Sequence, residues 1–396
     1  MLSVIETKNL RKLSDFNSFD FHLIKHLQKL EGQEENSYLQ WAILLLSQET
    51  SRGNVCIHLN AFADSFFSSY VSFEEEIKFP PIDEWVQQLK NSNIVGTPGE
   101  KQPLILEENS EGAWLFFYRY WSYEIEFVRA IQKKIKNIDS LDSDRINASL
   151  AKLFLLEEDT TSKDQIDSLQ RAFQKKLTII TGGPGTGKTT TVVRLLALLI
   201  ELNANHEFRY KLVAPTGKAA SRLSESIQKG KEMLLEQHLI SKETYDLISP
   251  ESSTIHRLLG TRIYKSEFYY NRKNQLPLDC LIVDEASMVD LALMSKMVTA
   301  IPDHTRLILI GDKDQLVSIE SGAILNDLCG DPKFLPKSLL DSIVSLTKVY
   351  RTEGEEILAL SRHVNSQDLE QVKNLLSKKA HYYHRGSWNG KDNYGG

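Results

Sequence analysis

The run Leu177 to Leu199, LTIITGGPGTGKTTTVVRLLALL, reads as a strand, a glycine-rich turn and a helix in unbroken succession. Leu177, Ile179 and Ile180 form an apolar run before the turn, and Val192, Leu195, Leu196 and Leu199 form a helical apolar face after it. Between them Gly182, Gly187, Lys188 and Thr189 fall on the pattern G-x-x-x-x-G-K-[ST]. Glycines allow positive φ and turn backbone N–H groups onto an anion, and the helix N-terminus adds partial positive charge. Lys188 is predicted to reach the β- and γ-phosphates of a nucleoside triphosphate, and the Thr189 hydroxyl to help hold Mg²⁺. The whole loop, Gly182, Gly183, Pro184, Gly185, Thr186, Gly187, Lys188, Thr189 and Thr190, is therefore expected to bind ATP.

Downstream, Lys211 to Ala214, Leu281 to Val283 and Leu307 to Ile310 are short apolar runs, each ending in a polar loop and separated by helical patterns. Such alternation predicts an α/β fold, a parallel sheet with helices on both faces, whose ligands gather at the carboxyl ends of the strands. Asp284 and Glu285 follow one such run. Asp284 is placed to hold Mg²⁺ through water, and Glu285 to orient and deprotonate an attacking water. Gln315, in the loop Gly311-Asp312-Lys313-Asp314-Gln315, is placed to contact the γ-phosphate, with a plain turn as the alternative. Thr216 and Lys218, in Pro215-Thr216-Gly217-Lys218, combine hydroxyl, backbone amides and a cation suited to clamping a phosphodiester. His256, beside apolar residues, is not singled out by its chemistry alone. The charged helical stretch Glu225 to Ile248 reads as a solvated face.

Upstream, Gln165 to Lys175 reads as a helix leading into the phosphate-loop strand. An amide there can both donate to and accept from an adenine edge, or Gln165 is a plain surface residue. Residues 137 to 164 are polar and acidic, as a linker would be. Residues 1 to 125 show helical apolar spacing (Phe21, Leu23, Ile24, Leu27, Leu30; Leu39, Ala42, Ile43, Leu46), with one extended piece at Val55 to Leu59. A small, mainly helical N-terminal domain is predicted. Its aromatic cluster, Trp114 to Trp121, is either core or a partner surface.

The 396 residues suit two or three domains, and 41% hydrophobic with 25% charged is ordinary for a globular chain. No apolar run approaches the roughly 20 residues of a bilayer span, and no signal-like start is seen, so no membrane contact and a cytoplasmic location are expected. Cys56, Cys280 and Cys329 are too few and too far apart for a disulfide framework or zinc site. The net charge of −6 confines any nucleic-acid contact to local patches.

Taken together, GGPGTGKT (182–189), APTGKAASRL (214–223), STIHRLLG (253–260), VDEASMVD (283–290), GDKDQLVSIESGAIL (311–325) and LTKVYR (346–351) resemble the ordered motifs of the superfamily one helicases. Within them the likeness is to the RecD family, the alpha subunits of exodeoxyribonuclease V, the RecBCD helicase and nuclease. The stretches Ala42 to Ser47, Gly53 to Leu59 and Tyr118 to Trp121 resemble the domain by which RecD docks on the gamma subunit. The resemblance implies a RecA-like P-loop NTPase motor domain over 165–350, with 1–125 a subunit-docking domain and 126–164 a linker. It implies an ATP hydrolase and 5′ to 3′ DNA helicase that works with the beta and gamma subunits on DNA ends, in double-strand break repair and recombination.

By the same resemblance Gln165 reads adenine, and Lys188, Glu285, Gln315 and Arg351 are catalytic, Arg351 reaching the γ-phosphate from the junction of two motor domains. Thr189 and Asp284 hold the metal, while Thr216, Lys218 and His256 lie along the single-stranded DNA. Residues 351–396 are expected to be the start of an incomplete second motor domain, leaving the chain as written impaired as a helicase. The tail HYYHRGSWNGKDNYGG (381–396) shows no periodicity, and His381 with His384 makes only a weak metal pair. The rival from another class is a nucleotide-regulated binding module without DNA-stimulated turnover.

Overall fold

The computed structural model describes residues 17–32, 36–66, 78–136, 143–154, 163–203, 207–263, 267–313, 315, 321–322, 324–348, 360, 363–364 and 368–383. Helix α1 (Ser18–Glu31) opens on a capping box: the Asn17 side chain accepts from the Phe19 and Asp20 amides while the Asp20 carboxylate accepts from Asn17. In α2 (Ser37–Ser51) every residue from Leu39 to Ser47 is buried. A helix this apolar on all sides must sit in the middle of its domain. Around it lie β1 (Cys56–His58), α3 (Ile82–Lys90), β2 (Val95–Gly96), β3 (Leu104–Asn109) and β4 (Gly112–Phe117), whose strands form one sheet in the order β1-β4-β3-β2. Only β1 matches the extended piece expected from sequence; the other three strands add a sheet to the helical domain. Phe116 of the aromatic cluster is buried, Trp114 stacks on His58 with ring centres 4.2 Å apart, and the Trp121 indole donates to Glu107 at 3.0 Å.

Helix α4 (Tyr118–Lys136) leaves this sheet, passes through residue 125 and packs on the second half of the molecule. Its Phe127 and Ile131 share a core with Leu177, Ile179 and Met294. Lys134, 1% exposed, donates to the carbonyls of Pro302 and Thr305 at 2.9 and 2.8 Å. Burial pulls its pKa down to about 8, yet it remains a donor at neutral pH. Lys134→Met keeps the aliphatic stem but leaves both carbonyls without that donor. A loss of about 1–3 kcal/mol is expected in urea unfolding, and an unchanged midpoint would show that the latch is dispensable.

The second half is built on six parallel strands. After α5 (Ser143–Leu153) and α6 (Lys163–Gln174) come β5 (Leu177–Gly182), α7 (Lys188–Leu202), β6 (Tyr210–Ala214), α8 (Gly217–Glu236), α9 (Lys242–Leu247), β7 (Ser252–Thr254) and α10 (Ile255–Leu259). Then follow β8 (Cys280–Val283), α11 (Leu291–Thr299), β9 (Arg306–Gly311), α12 (Ile324–Leu328), α13 (Lys337–Leu340) and β10 (Ile343–Leu346), with α14 (Leu369–Tyr383) beyond. The sheet order is β10-β5-β9-β8-β6-β7, every neighbouring pair parallel.

Alternation along the strands explains why both faces are covered. Ile180, Leu212, Ile282, Ile308 and Ile310 point into one core with α7 and α8, whereas Leu177, Ile179, Val213, Leu281, Val283, Leu307 and Leu309 point into the other with α4 and α11. Both sides of each strand are therefore apolar, as a two-faced parallel sheet requires. Helix α8 buries Ala220, Leu223, Ile227, Lys231 and Leu234, so the stretch expected as a solvated face is solvated on one side only. None of the three cysteines is in a disulfide. No helix among the described residues is long and apolar enough to cross a membrane.

The two halves also meet through the segment that follows β9. The Ser321 hydroxyl donates to the Thr50 carbonyl at 2.8 Å and the Gly322 amide donates to Gly53 at 2.9 Å. The turn after α2 thereby holds Ser321 and Gly322, which follow β9 in sequence.

Candidate functional site

The parallel arrangement brings the loops after β5, β6, β7, β8 and β9 to one edge of the sheet. In the loop after β5, Gly185 and Gly187 have φ of +79° and +82°, the left-handed region in which a side chain would be strained. Gly187 delivers the chain into α7, whose first turn has no side-chain cap. Its amides are left to face an anion. The Lys188 ammonium folds over the loop and donates to the carbonyls of Gly182 (2.5 Å) and Gly183 (3.0 Å). Thr186 pins the loop by donating to Gly183 at 2.9 Å. Thr189 is half-buried and Thr190 exposed.

At the end of β8, the Asp284 amide donates to the Val213 carbonyl at 2.9 Å, fixing the acidic pair beside β6. Burial pushes the Asp284 carboxyl up to about 6; the Glu285 carboxylate pushes it the same way and the Lys188 ammonium pulls it back. Glu285 sits at φ 51°, ψ 42°, a left-handed conformation costing a non-glycine residue about 1–3 kcal/mol. Burial and the neighbouring carboxylate thus disfavour the charged form of Asp284, a cost that a bound cation would offset.

The cost of that buried charge can be tested without any ligand. The Asp284 pKa is raised above its unfolded value, so the folded state holds more protons between about pH 4 and 6 and loses stability as pH rises through that window. Asp284→Asn should therefore stabilise the ligand-free chain above pH 6 by roughly 1–3 kcal/mol and make no difference below pH 4. Equal melting temperatures for the two proteins at pH 8 would refute it.

After β9, the Lys313 amide donates to the Thr181 hydroxyl of β5 at 3.2 Å, drawing this loop onto the end of the neighbouring strand. Gln315 is exposed there, its amide donating to Asp312 at 3.2 Å. Gln165 lies on α6 and is only 4% exposed, with its side-chain oxygen accepting from Arg194 of α7 at 3.0 Å. It is not the surface residue that spacing alone allowed. Arg194 in turn lies 4.3 Å from the centre of the Phe154 ring. Arg194 and Thr181 carry no sequence mark, being single polar residues within apolar runs.

Thr216 accepts from the Ala219 amide at 3.2 Å and so caps α8; it and Lys218 are exposed at the end of β6. His256 is exposed on α10, at the end of β7, its ring centre 5.7 Å from that of Phe268. These residues line the same edge, on the strands beyond β8 from the phosphate loop. Arg351 lies outside the described residues. No group of three or more His, Cys, Asp or Glu among the described residues is arranged to hold a metal. The candidate ligands are a hydroxyl, Thr189, of the phosphate loop and a carboxylate, Asp284, close enough to Lys188 for its ammonium to act on it. That sparse set suits Mg²⁺, which takes most of its ligands from water and phosphate oxygens.

Comparison with known proteins agrees with this layout. Residues 12–110 match the family model of the RecBCD enzyme subunit RecD, N-terminal domain, and residues 165–321 match an AAA domain. The chain is 36% identical over 345 residues to RecBCD enzyme subunit RecD of Haemophilus influenzae, covering 83% of this chain and 53% of that protein. With RecBCD enzyme subunit RecD of Mycolicibacterium smegmatis it shares 34% over 362 residues, covering 90% and 59%. It is also 33% identical over 203 residues to the ATP-dependent RecD2 DNA helicase of Deinococcus radiodurans, covering 51% and 23%. The chain thus spans about half the length of the curated RecD relatives it matches.

Proposed function

The chain belongs to the RecD family over the N-terminal and motor segments it spans, and from that premise we propose that it is the ATP-dependent 5′ to 3′ helicase subunit of an exodeoxyribonuclease V. In this reading it works with beta and gamma subunits on DNA ends, in double-strand break repair and recombination. The observation that carries it is the gathering of Lys188, Thr189, Asp284, Glu285 and Gln315 on the same sheet edge as Thr216, Lys218 and His256.

The geometry supports the following division of labour. The uncapped amides of α7 and the glycine loop cradle the phosphates of ATP, and Lys188 exchanges the Gly182 and Gly183 carbonyls for phosphate oxygens. Thr189 and Asp284 would hold Mg²⁺, which would supply neutralisation of phosphate charge. Glu285 accepts a proton from the attacking water, and Gln315 stands beside the γ-phosphate to report its loss. Gln165 reads adenine with the amide nitrogen that its bond to Arg194 leaves over. Arg351 supplies positive charge to the transition state from the junction with a second motor domain. The N-terminal domain docks on the gamma subunit, and its hold on Ser321 and Gly322 puts that docking within reach of the Gln315 loop.

The test is whether the two ligands speak to each other. A non-hydrolysable ATP analogue should change the affinity of the chain for a fluorescent oligothymidylate; independent binding of the two would favour a nucleotide-regulated binding module.

Thr216 allows a sharper test of the DNA path. Because it caps α8, Thr216→Ala confuses DNA contact with helix stability, a loss of about 0.5–2 kcal/mol. Thr216→Asp keeps a cap and adds a negative charge where a phosphodiester would lie. Together with His256→Ala it should weaken single-strand binding severalfold while nucleotide affinity and melting temperature hold. Unchanged anisotropy titrations for both variants would remove these residues from the path.

A further inference from the structure

Phe154, Arg194 and Gln165 form a buried row across α5, α6 and α7. Gln165, 4% exposed, accepts through Oε1 from the Arg194 guanidinium at 3.0 Å, and Arg194, 6% exposed, has its guanidinium 4.3 Å from the centre of the Phe154 ring. On α7 Arg194 stands among Val192, Val193, Leu195 and Leu196, all buried. A cation in such surroundings is costly unless it is well partnered. The row ends beside the phosphate loop. The Asp164 carboxylate accepts from the Thr347 amide at 3.0 Å and from the Thr347 hydroxyl, and the preceding Leu346 is the register partner of Gly182, where that loop begins. Helix α6 therefore starts next to the phosphate loop, with Gln165 in its first turn.

We propose that Arg194 is the positioning residue that makes the nucleotide pocket select adenine over guanine, an inference that rests on the reading above in which Gln165 meets the base. A guanidinium donates and never accepts, so Gln165 can bond to it only through the carbonyl oxygen. That bond decides which way round the amide stands. Among the described residues Nε2 has no partner, and the carbonyl keeps a second lone pair besides the one that Arg194 takes. An amide held in one sense offers an acceptor and a donor in fixed order. Adenine presents the N6 amino group as donor beside N7 as acceptor and fits that order with two bonds. Guanine puts O6, an acceptor, in place of the amino group and sets it against Oε1. Without Arg194 the amide is free to turn its NH₂ toward O6 and N7, and the two purines become alike. The Phe154 ring against the guanidinium keeps the donor in place.

The experiment is displacement of a ribose-labelled fluorescent ATP analogue from the full chain by ATP, GTP and 7-deaza-ATP. The parent should prefer ATP to GTP by about tenfold to a hundredfold, the discrimination of one bidentate contact. Arg194→Met keeps the aliphatic stem and should bring that ratio to within about threefold, while Arg194→Lys, still a donor only, should restore most of it. In a Gln165→Ala background Arg194→Met should change the ratio no further, since the two residues act as one unit. Arg194→Met with a lower melting temperature and the parent's ratio would make Arg194 a plain tie between helices and overturn the proposal. A second measurement needs no variant: 7-deaza-ATP, which lacks the N7 acceptor, should bind the parent severalfold more weakly than ATP. Equal affinity would mean that Nε2 does not face N7, and would overturn the proposal as well. If Gln165→Ala abolishes the preference while Arg194→Met retains it, the positioning is wrong and the adenine reading survives. A parent without preference, or a preference that Gln165→Ala leaves untouched, would overturn both.

Discussion

Lys188→Gln should lower ATP hydrolysis by about two to three orders of magnitude, the usual cost of removing one preorganised group from developing charge. Glutamine can still donate to the Gly182 and Gly183 carbonyls, so the loop should keep its shape. What disappears is the point charge that follows the γ-phosphate into the transition state. The same substitution removes the one cation that pulls the Asp284 carboxyl down, so Asp284 should protonate at a higher pH in the variant. Wild-type turnover in Lys188→Gln, measured with saturating ATP, would show that this ammonium is only a latch across the loop.

Glu285→Gln should separate binding from chemistry. Glutamine is nearly the same size and can take the same strained backbone, so ATP affinity should stay within a few fold of the parent. Hydrolysis should fall by about 10²–10⁴, the contribution of a general base. Removing the neighbouring carboxylate also relieves one of the two influences that raise the Asp284 pKa, so Mg²⁺ dependence should extend to lower pH. A variant that loses affinity as much as rate would place Glu285 in nucleotide binding and leave the base unassigned.

Much of the motor sheet is legible because each of its central strands is buried on both faces and each is followed by a distinctive loop. Glycine spacing, two adjacent acids and a polar Gly-Asp-Lys-Asp-Gln turn each mark a strand end. β7 is not legible: it is three residues, Ser252–Thr254, all half-buried, at the edge of the sheet with a partner on one side only. Its neighbour His256 gains meaning from the edge it occupies rather than from its own surroundings. α4 could have been read. Tyr120, Tyr123, Phe127 and Ile131 recur at helical spacing through the position expected for a boundary, and all of them pack toward the motor core.

Contacts between residues distant in sequence were beyond reach. Gln165 is spaced like a surface residue, and only its bond to Arg194 shows that its carbonyl end is committed inside the molecule. Lys134 looks like one basic residue among several at the end of α4, yet it is the one whose ammonium is buried against Pro302 and Thr305. The bonds from Ser321 and Gly322 to the turn after α2 span about two-thirds of the chain. No local pattern specifies them.

The central claim is that nucleotide chemistry at the phosphate loop is driven by single-stranded DNA on the same sheet edge. Steady-state ATP hydrolysis by the chain assembled with beta and gamma subunits, with and without oligothymidylate, tests it most directly. Stimulation by DNA that vanishes in Lys188→Gln is the expected result; hydrolysis that is absent, or indifferent to DNA in an assembly that binds both ligands, would contradict it.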